Sequence, residues 1–488
     1  MELRIEPDRR TFETLSRDWS LVPVWAELLA DVSTPVGLFP GLAGDGPGIL
    51  LESVERSERW GRFSFVAGDP AALVLVDEEG LRVTRQQRDL PIGGVGGTPL
   101  AALKGVAAQL RAPQMPGLPA LTGGLMGMLT YEASKLLDGH PYPEGEGLAF
   151  PPVALQVVDR AVVFDHWHQR LLVVAHVPSG SSYDQARQAV EELAERVTSA
   201  RAPEPEPLDI DTVPPQSETN MSDERYMEMV SVMKEHILAG DIFQGVPSRR
   251  ISVPAARGGM PIYRRLRLTN PAPYMFFVRM LDTELAGSSP EPLVRVEGGR
   301  VSTRPIAGTR PRGATPEEDH DLEVELLADP KELAEHAMLV DLARNDLGRV
   351  CSPGTVTPSE LMAVERFSKV MHIVSTVEGQ LADGQGPLDA LAVAFPAGTV
   401  TGAPKRRAME LIAEQEPTPR GPYAGAVGYL TFQGDLDFCI TIRTAVIREG
   451  RATVQAGAGV VADSDPRTEL AESKAKMAGL MPAIGGAQ

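Results

Sequence analysis

LVRVEGGRVST, residues 293–303, holds two strand-like runs, 293–297 and 300–303, separated by Gly298 and Gly299. A pair this close reads as a hairpin, and hairpins make antiparallel sheets. Short apolar runs bounded by Gly and Pro recur on either side. They place strands at 72–76, 153–158, 171–175, 274–279, 370–378, 425–431, 438–448 and 451–456. Helical spacing covers 184–199, 223–240 with Ser222 as N-cap, 316–341, 405–414 and 466–478. Hairpin-like pairs with interspersed helices indicate an α+β fold with antiparallel sheets.

The chain has 488 residues, 43% of them hydrophobic, enough for a large core and about two to four domains. RAPEPEPLDIDTVPPQSETNM, residues 201–221, lacks apolar periodicity and reads as a linker or exposed loop between parts 1–200 and 222–488. A net charge of -19 argues against nucleic acid or an anionic membrane as partner. An anionic substrate must then be met by a local cationic pocket. Two cysteines, Cys351 and Cys439, make no disulfide framework and fit a reducing compartment. Residues 1–20 are charged throughout, and no run approaches the roughly 18 apolar residues of a membrane span. The expectation is a cytoplasmic protein.

Two acidic pairs stand out. Glu332 and Glu335 lie in KELAEHAMLVDLARND, Glu469 and Glu472 in RTELAESKAK. Spacing i, i+3 puts each pair on one helix face. Two such faces could converge on a hard cation such as Mg²⁺, although solvated helix faces are the commoner source of this spacing. The glycines of Gly457-Ala458-Gly459 do not lead into a helix, as a dinucleotide fold requires. They suit backbone amides approaching a carboxylate instead. GTVTGAPK, residues 398–405, has the wrong Gly-to-Lys spacing for a P-loop. His166 and His168 sit two apart with no third ligand in view, on what reads as an exposed strand.

Residues 223–478 resemble the chorismate-utilising enzyme family. The matching segments are DIFQGVPSRR, NPAPYMFF, SSPEPLV, RPIAGTRPRG, DPKELAEHAMLVDLARNDLGR, KVMHIVSTVEG, FPAGTVTGAPKRRAMELI, GPYAGAVGY, DLDFCITIRTA, QAGAGVVADSDP and ELAESKAK. They occur in the family's order. LLESVERSERWGRFSF, residues 50–65, resembles the regulatory part of anthranilate synthase large subunits. The resemblance implies antiparallel sheets packed face to face with helices outside, a regulatory part at 1–200 and a chorismate-binding part at 222–488.

The resemblance also implies roles. Glu335 and Glu472 would bind Mg²⁺ carrying the ring carboxylate of chorismate, with Glu332 and Glu469 behind them. Arg443 and Lys476 would hold the enolpyruvyl carboxylate, with Tyr423, Gly457, Ala458 and Gly459. Ala307, Gly308 and Thr399 would line the ring site. Water-adding relatives carry a Lys base where this chain has Gln244; neutral ammonia needs no such base. Relatives that make aminodeoxychorismate typically carry a nucleophilic Lys where this chain has Ala307. Ammonia is thus expected to attack C2 directly. Glu291 would be the general acid for the departing C4 hydroxyl, and His372 would assist pyruvate loss. Gly245, Pro247, Phe438 and 473–475 depart from commoner residues without removing a proposed ligand.

Neither cysteine sits in a glutaminase context, so ammonia is expected from a separate glutamine amidotransferase subunit, giving a hetero-oligomer. Leu51, Glu52, Ser53, Asn270, Pro271, Tyr274, Met275, Tyr429, Gly434 and Cys439 resemble the family's L-tryptophan inhibitor site. The alternatives are aminodeoxychorismate synthase component I and a catalytically silent tryptophan-responsive regulator.

Overall fold

The structure, a computed structural model, describes residues 3–53, 61–85, 88–143, 150–204, 217–366 and 370–485. Residues 54–60 of the LLESVERSERWGRFSF segment and 205–216 of the Pro-rich segment lie outside the described residues. The 293–303 hairpin forms: Pro292–Glu297 pairs antiparallel with Arg300–Thr303, Glu297 opposite Arg300. Gly298 and Gly299 turn it with φ of 56° and 82°, a region other residues enter at a cost.

The hairpin belongs to an 11-stranded antiparallel sheet. Its path runs Ile306–Pro311, Val370–Gln380, Arg300–Thr303, Pro292–Glu297, Leu436–Ile440, Ala426–Thr431, Gly124–Leu129, Val153–Val158, Ala72–Asp77 and Gly80–Arg85, with Thr357–Arg366 also on Val370–Gln380. A 12-stranded sheet runs Ile5–Glu6, Leu21–Leu29, Arg170–Pro178, Arg160–Asp165, Phe63–Gly68, Gly48–Glu52, Tyr274–Met280, Thr283–Ser289, Thr444–Arg448, Arg451–Gly457, Ser248–Pro254 and Glu218–Thr219. Both sheets therefore mix strands from before and after the Pro-rich segment. Gly48–Glu52 pairs with Tyr274–Met280, and Gly124–Leu129 with Ala426–Thr431.

The sheets pack face to face. Trp25, Ile49, Phe65 and Phe276 of the 12-stranded sheet meet Met126, Ala154, Val427 and Cys439 of the other in one apolar core. Burying each large side chain there contributes about 1.5–3 kcal/mol. Helices cover the outer faces, as expected. Pro35–Ala43, Tyr183–Ser199 and Gly259–Thr269 pack on the 12-stranded sheet. Pro99–Gln109, Pro387–Ala394 and one side of Pro330–Gly348 pack on the 11-stranded sheet.

Three local expectations need correction. The helix expected over 316–341 is two, Pro316–Ala328 and Pro330–Gly348, broken where Asp329 leaves helical geometry to cap the second. Pro330 has no N–H to continue the first. The strand expected over 438–448 is also two: Leu436–Ile440 lies in one sheet and Thr444–Arg448 in the other. Residues 441–443 carry the chain between sheets, and Arg443 has φ 51° there. Finally, His166 and His168 stand on the turn after Arg160–Asp165. His168 Nδ1 lies 2.7 Å from Asp165 Oδ2, and His166 Nε2 2.7 Å from Ser64 Oγ. Among the described residues, no helix is long and apolar enough to cross a membrane.

Candidate active site

Two helices start at one cavity of about 750 Å³. Pro330–Gly348 follows Asp329, whose carboxylate accepts from the backbone N–H of Lys331 at 3.0 Å and Glu332 at 3.4 Å. Pro466–Ala478 follows Asp465, which accepts from Arg467 and Thr468 at 3.0 Å each. Asp caps the free N–H groups and Pro takes the first helical position, so Asp-Pro writes each start into the sequence. Both helices then carry Glu-Leu-Ala-Glu, residues 332–335 and 469–472. Carboxylates near a helix N-terminus are favoured by the helix dipole. All four line the cavity.

Each carboxylate has a local environment that keeps it there. Gln244 Nε2 donates to Glu335 Oε1 at 2.9 Å. Arg310 Nη1 lies 3.2 Å from Glu332 Oε1, and Lys476 Nζ lies 2.6 Å from Glu472 Oε1. Burial raises the Glu335 pKa, and the charges of Glu332 and Glu472 add to it against the Gln244 bond. Burial likewise raises Glu469, with Glu472 adding repulsion. Like charges gathered at one wall call for a cation. Among the described residues, no group of three His, Cys, Asp or Glu could by itself hold a metal ion. Two carboxylates completed by substrate and water oxygens fit Mg²⁺, which rarely takes an all-protein cage.

Gln244 reaches the same wall from a short ladder. Gln244–Gly245 pairs with Gly402–Ala403. Gly402 has φ 133°, and a Cβ on it would lie 2.1 Å from the Gln244 carbonyl oxygen. Only glycine lets the GTVTGAPK turn pass so close. Gly245 and Val460 exchange backbone hydrogen bonds, bringing Gly459 beside the Gln244 amide. The amide is 3% exposed, and its Oε1 has no hydrogen-bond partner among the described residues.

Ala307, Gly308 and His372 also line the cavity, and a Cβ on Gly308 would lie 3.2 Å from Glu332 Oε2. The pairing of Ile306–Pro311 with Val370–Gln380 slips between Ala307 and Thr309, and Gly308 takes φ 67°. That slip aims the Gly308 carbonyl at His372 Nδ1, 3.1 Å away, with Thr309 Oγ1 at 3.0 Å. A carbonyl only accepts, so Nδ1 carries the proton and Nε2 is the basic nitrogen of the neutral ring. Burial lowers the His372 pKa and favours that neutral form.

Glu291 lines the cavity and is half-buried. Burial lifts it to about 7, against the nearby Thr399 hydroxyl and the Lys476 charge. It follows Thr283–Ser289, and Ile440 N–H donates to its carbonyl at 3.0 Å. Thr399 and Tyr423 line the cavity beside it, and burial pushes the Tyr423 phenol up to about 12. Lys476 Nζ donates to the Gly457 carbonyl at 3.0 Å, and Arg443 Nη1 donates to the Lys476 carbonyl at 3.1 Å. Two cations thus stand together on the Gly457 side. Gly457 and Gly459 line the cavity, whereas Ala458 is fully buried and not on its wall.

Two residues that the sequence reading did not single out hold this site together. Arg420, 1% exposed, donates to the carbonyls of Val246 and Val400 at 2.7 Å each and to Glu416 at 2.6 and 2.9 Å. It ties the Gln244 segment to the Thr399 turn. Arg310 bridges Glu325, Asp329 and Glu332, pinning the start of the Glu335 helix. Arg420 lies in a Pro-rich stretch and Arg310 in a Pro-flanked strand, where no periodicity marks burial.

The residues likened to a tryptophan site come from both sheets and fall on both faces of the 12-stranded one. Leu51, Tyr274, Tyr429 and Cys439 meet in the core between the sheets. The Tyr274 hydroxyl donates to Asp437 Oδ1 at 3.0 Å. Met275 packs in the outer core, and Glu52 takes the Tyr263 hydroxyl at 2.6 Å on that side. Asn270 Nδ2 donates to Ser288 Oγ at 3.2 Å, and Pro271 follows it in the loop before Tyr274. Ser53 Oγ is buried with no partner among the described residues, and Gly434 stands on the 431–435 turn.

Residues 65–482 match the model of the chorismate binding enzyme family. Anthranilate synthase component 1 of Streptomyces coelicolor is 45% identical over 99% of this chain and 92% of its own length. Its counterpart in Mycolicibacterium smegmatis is 43% identical, covering 98% and 94%. The crystal structure of anthranilate synthase component I from Streptococcus pneumoniae superposes with a TM-score of 0.75 at 33% identity, covering 93% of this chain and 99% of that one.

Proposed function

The chain belongs to the chorismate binding enzymes, in the group of anthranilate synthase component I, and we propose that it aminates chorismate at C2 and expels pyruvate to leave anthranilate. The observation that carries this reading is that Gln244 and Ala307 line one cavity. An amide and a methyl group flank the cavity that also holds Glu291 and the four carboxylates. Neither residue can serve as the amine base or covalent nucleophile of the sister reactions.

The Glu335 and Glu472 carboxylates would hold a magnesium ion, which would neutralise the ring carboxylate and stabilise charge moving toward it. Arg443 and Lys476 hold the enolpyruvyl carboxylate by charge-assisted hydrogen bonds. The Gln244 carbonyl oxygen, lacking a partner among the described residues, accepts an N–H of the incoming ammonia. Protonated Glu291 gives its proton to the C4 hydroxyl, which leaves as water, while the new C2 ammonium sheds a proton. The intermediate is 2-amino-2-deoxyisochorismate. Neutral His372 then assists removal of the C2 proton as pyruvate departs and the ring becomes aromatic.

Ammonia would come from a separate glutamine amidotransferase subunit. Cys351 and Cys439 are both buried, and burial raises both thiols, the opposite of a glutaminase nucleophile. L-Tryptophan would inhibit by binding one conformation of the inter-sheet region around Leu51, Ser53 and Tyr274 in preference to another. Steady-state assays with chorismate, Mg²⁺ and ammonium, read by anthranilate fluorescence, test the scheme. Glu335→Gln should lose at least about a hundredfold in kcat/KM, some 2.7 kcal/mol of transition-state stabilisation. A near-wild-type rate would remove Glu335 from the site.

A further inference from the structure

The partners of two cavity carboxylates are the same side chains that the chorismate reading gives to the reactants. Gln244 holds Glu335. Lys476 holds Glu472 at 2.6 Å from the next turn of the same helix. The Lys476 side chain is 34% exposed and the Glu472 side chain 47%, so their ion pair is weakly held and exchangeable. Lys476 also keeps a donor on the Gly457 carbonyl, which fixes its ammonium at the junction of the carboxylate wall and the Gly457 turn. Arg443, the other cation on that side, is anchored to the Lys476 backbone carbonyl.

We infer that Lys476 works as an exchange group: it neutralises Glu472 in the empty cavity and transfers to a substrate carboxylate when a divalent cation takes Glu472. The inference rests on the chorismate and magnesium reading above. A cation on Glu472 repels the adjacent ammonium and drives it toward the incoming anion. Substrate that captures Lys476 in turn exposes Glu472 to the cation. Each therefore strengthens the other by the same factor, as linkage requires.

The exchange has a consequence that a fixed lysine lacks: removing Lys476 should improve cation binding in the absence of substrate. The measurement is Mn²⁺ affinity of the full ligand-free chain by titration calorimetry, for wild type, Lys476→Met, Lys476→Arg and Lys331→Met. Lys331 lines the same cavity and its charge acts on Glu335 and Glu469. It reports the effect of removing a nearby charge that is not exchanged. Lys476→Met should bind Mn²⁺ roughly two- to fivefold tighter than wild type. Lys476→Arg, which keeps the pair, should match wild type, and Lys331→Met should change less than Lys476→Met. Chorismate titrated without ammonia should gain less from Mn²⁺ in Lys476→Met than in wild type. Unchanged or weaker Mn²⁺ binding by Lys476→Met, or equal tightening by Lys331→Met, overturns the exchange while leaving the cation site standing. Wild-type protein that takes up no Mn²⁺ with or without chorismate overturns the cation site and the exchange together.

Discussion

Burial lifts the Glu291 carboxyl to about 7, and this sets the sign of a pH profile. As a general acid Glu291 must be protonated, so at constant free ammonia kcat/KM should fall as pH rises through about 7. His372 must be neutral, and its lowered pKa keeps it so below the ordinary histidine value of 6.5. The acid-side loss should therefore begin lower than for an ordinary histidine. A rate still climbing above pH 8 at constant free ammonia would remove Glu291 as the acid. For His372→Met the expected outcome is accumulation of the aminated intermediate, visible by chromatography, and normal anthranilate release would cancel its role. Residues that line the cavity were legible because each sits in a motif: Glu291 in SSPEPLV, Gln244 in DIFQGVPSRR, Ala307 in RPIAGTRPRG. Arg420 was not legible, because what it does is bridge two carbonyls distant in sequence.

Among elements, the two Glu-x-x-Glu pairs were readable from spacing, whereas the helix start at Asp329-Pro330 was not. Nor was the convergence of the pairs, since spacing fixes a face but not what it faces. Losing the Asp465 cap by Asp465→Ala should cost about 1 kcal/mol of stability, measurable by urea unfolding. Arg420→Met should cost about 3–5 kcal/mol, because Glu416, only 5% exposed, would stay buried without its counter-charge. A loss under 1 kcal/mol would mean that the pair does not tie the two segments. The two misread elements share one cause. Hydrophobic pattern continues through Asp329 and through residues 441–443, while backbone direction does not. The turn at 441–443 is also what delivers Arg443 to the cavity, so the misreading fell at a cavity-lining position.

Over the whole molecule, antiparallel pairing and face-to-face sheets were foreseeable from hairpins and family likeness, but not the interleaving of the two parts. Long-range pairing such as Gly48–Glu52 with Tyr274–Met280 leaves no local signal. A chain of residues 222–488 alone would lose interior strands of both sheets and should show no cooperative thermal transition; a sharp transition by circular dichroism would contradict the shared sheets. Regulation at this scale has its own test. Micromolar tryptophan should inhibit, and Ser53→Phe should abolish inhibition without abolishing turnover.

The most direct test of amination at C2 is to supply the purified chain with chorismate, Mg²⁺ and ¹⁵N-labelled ammonium, without a glutaminase, and locate the label by NMR. The label should lie on the ring carbon next to the one bearing the carboxyl group, in an aromatic product that has lost pyruvate. Label on the carbon opposite the carboxyl, or an unlabelled hydroxylated ring, would contradict the account.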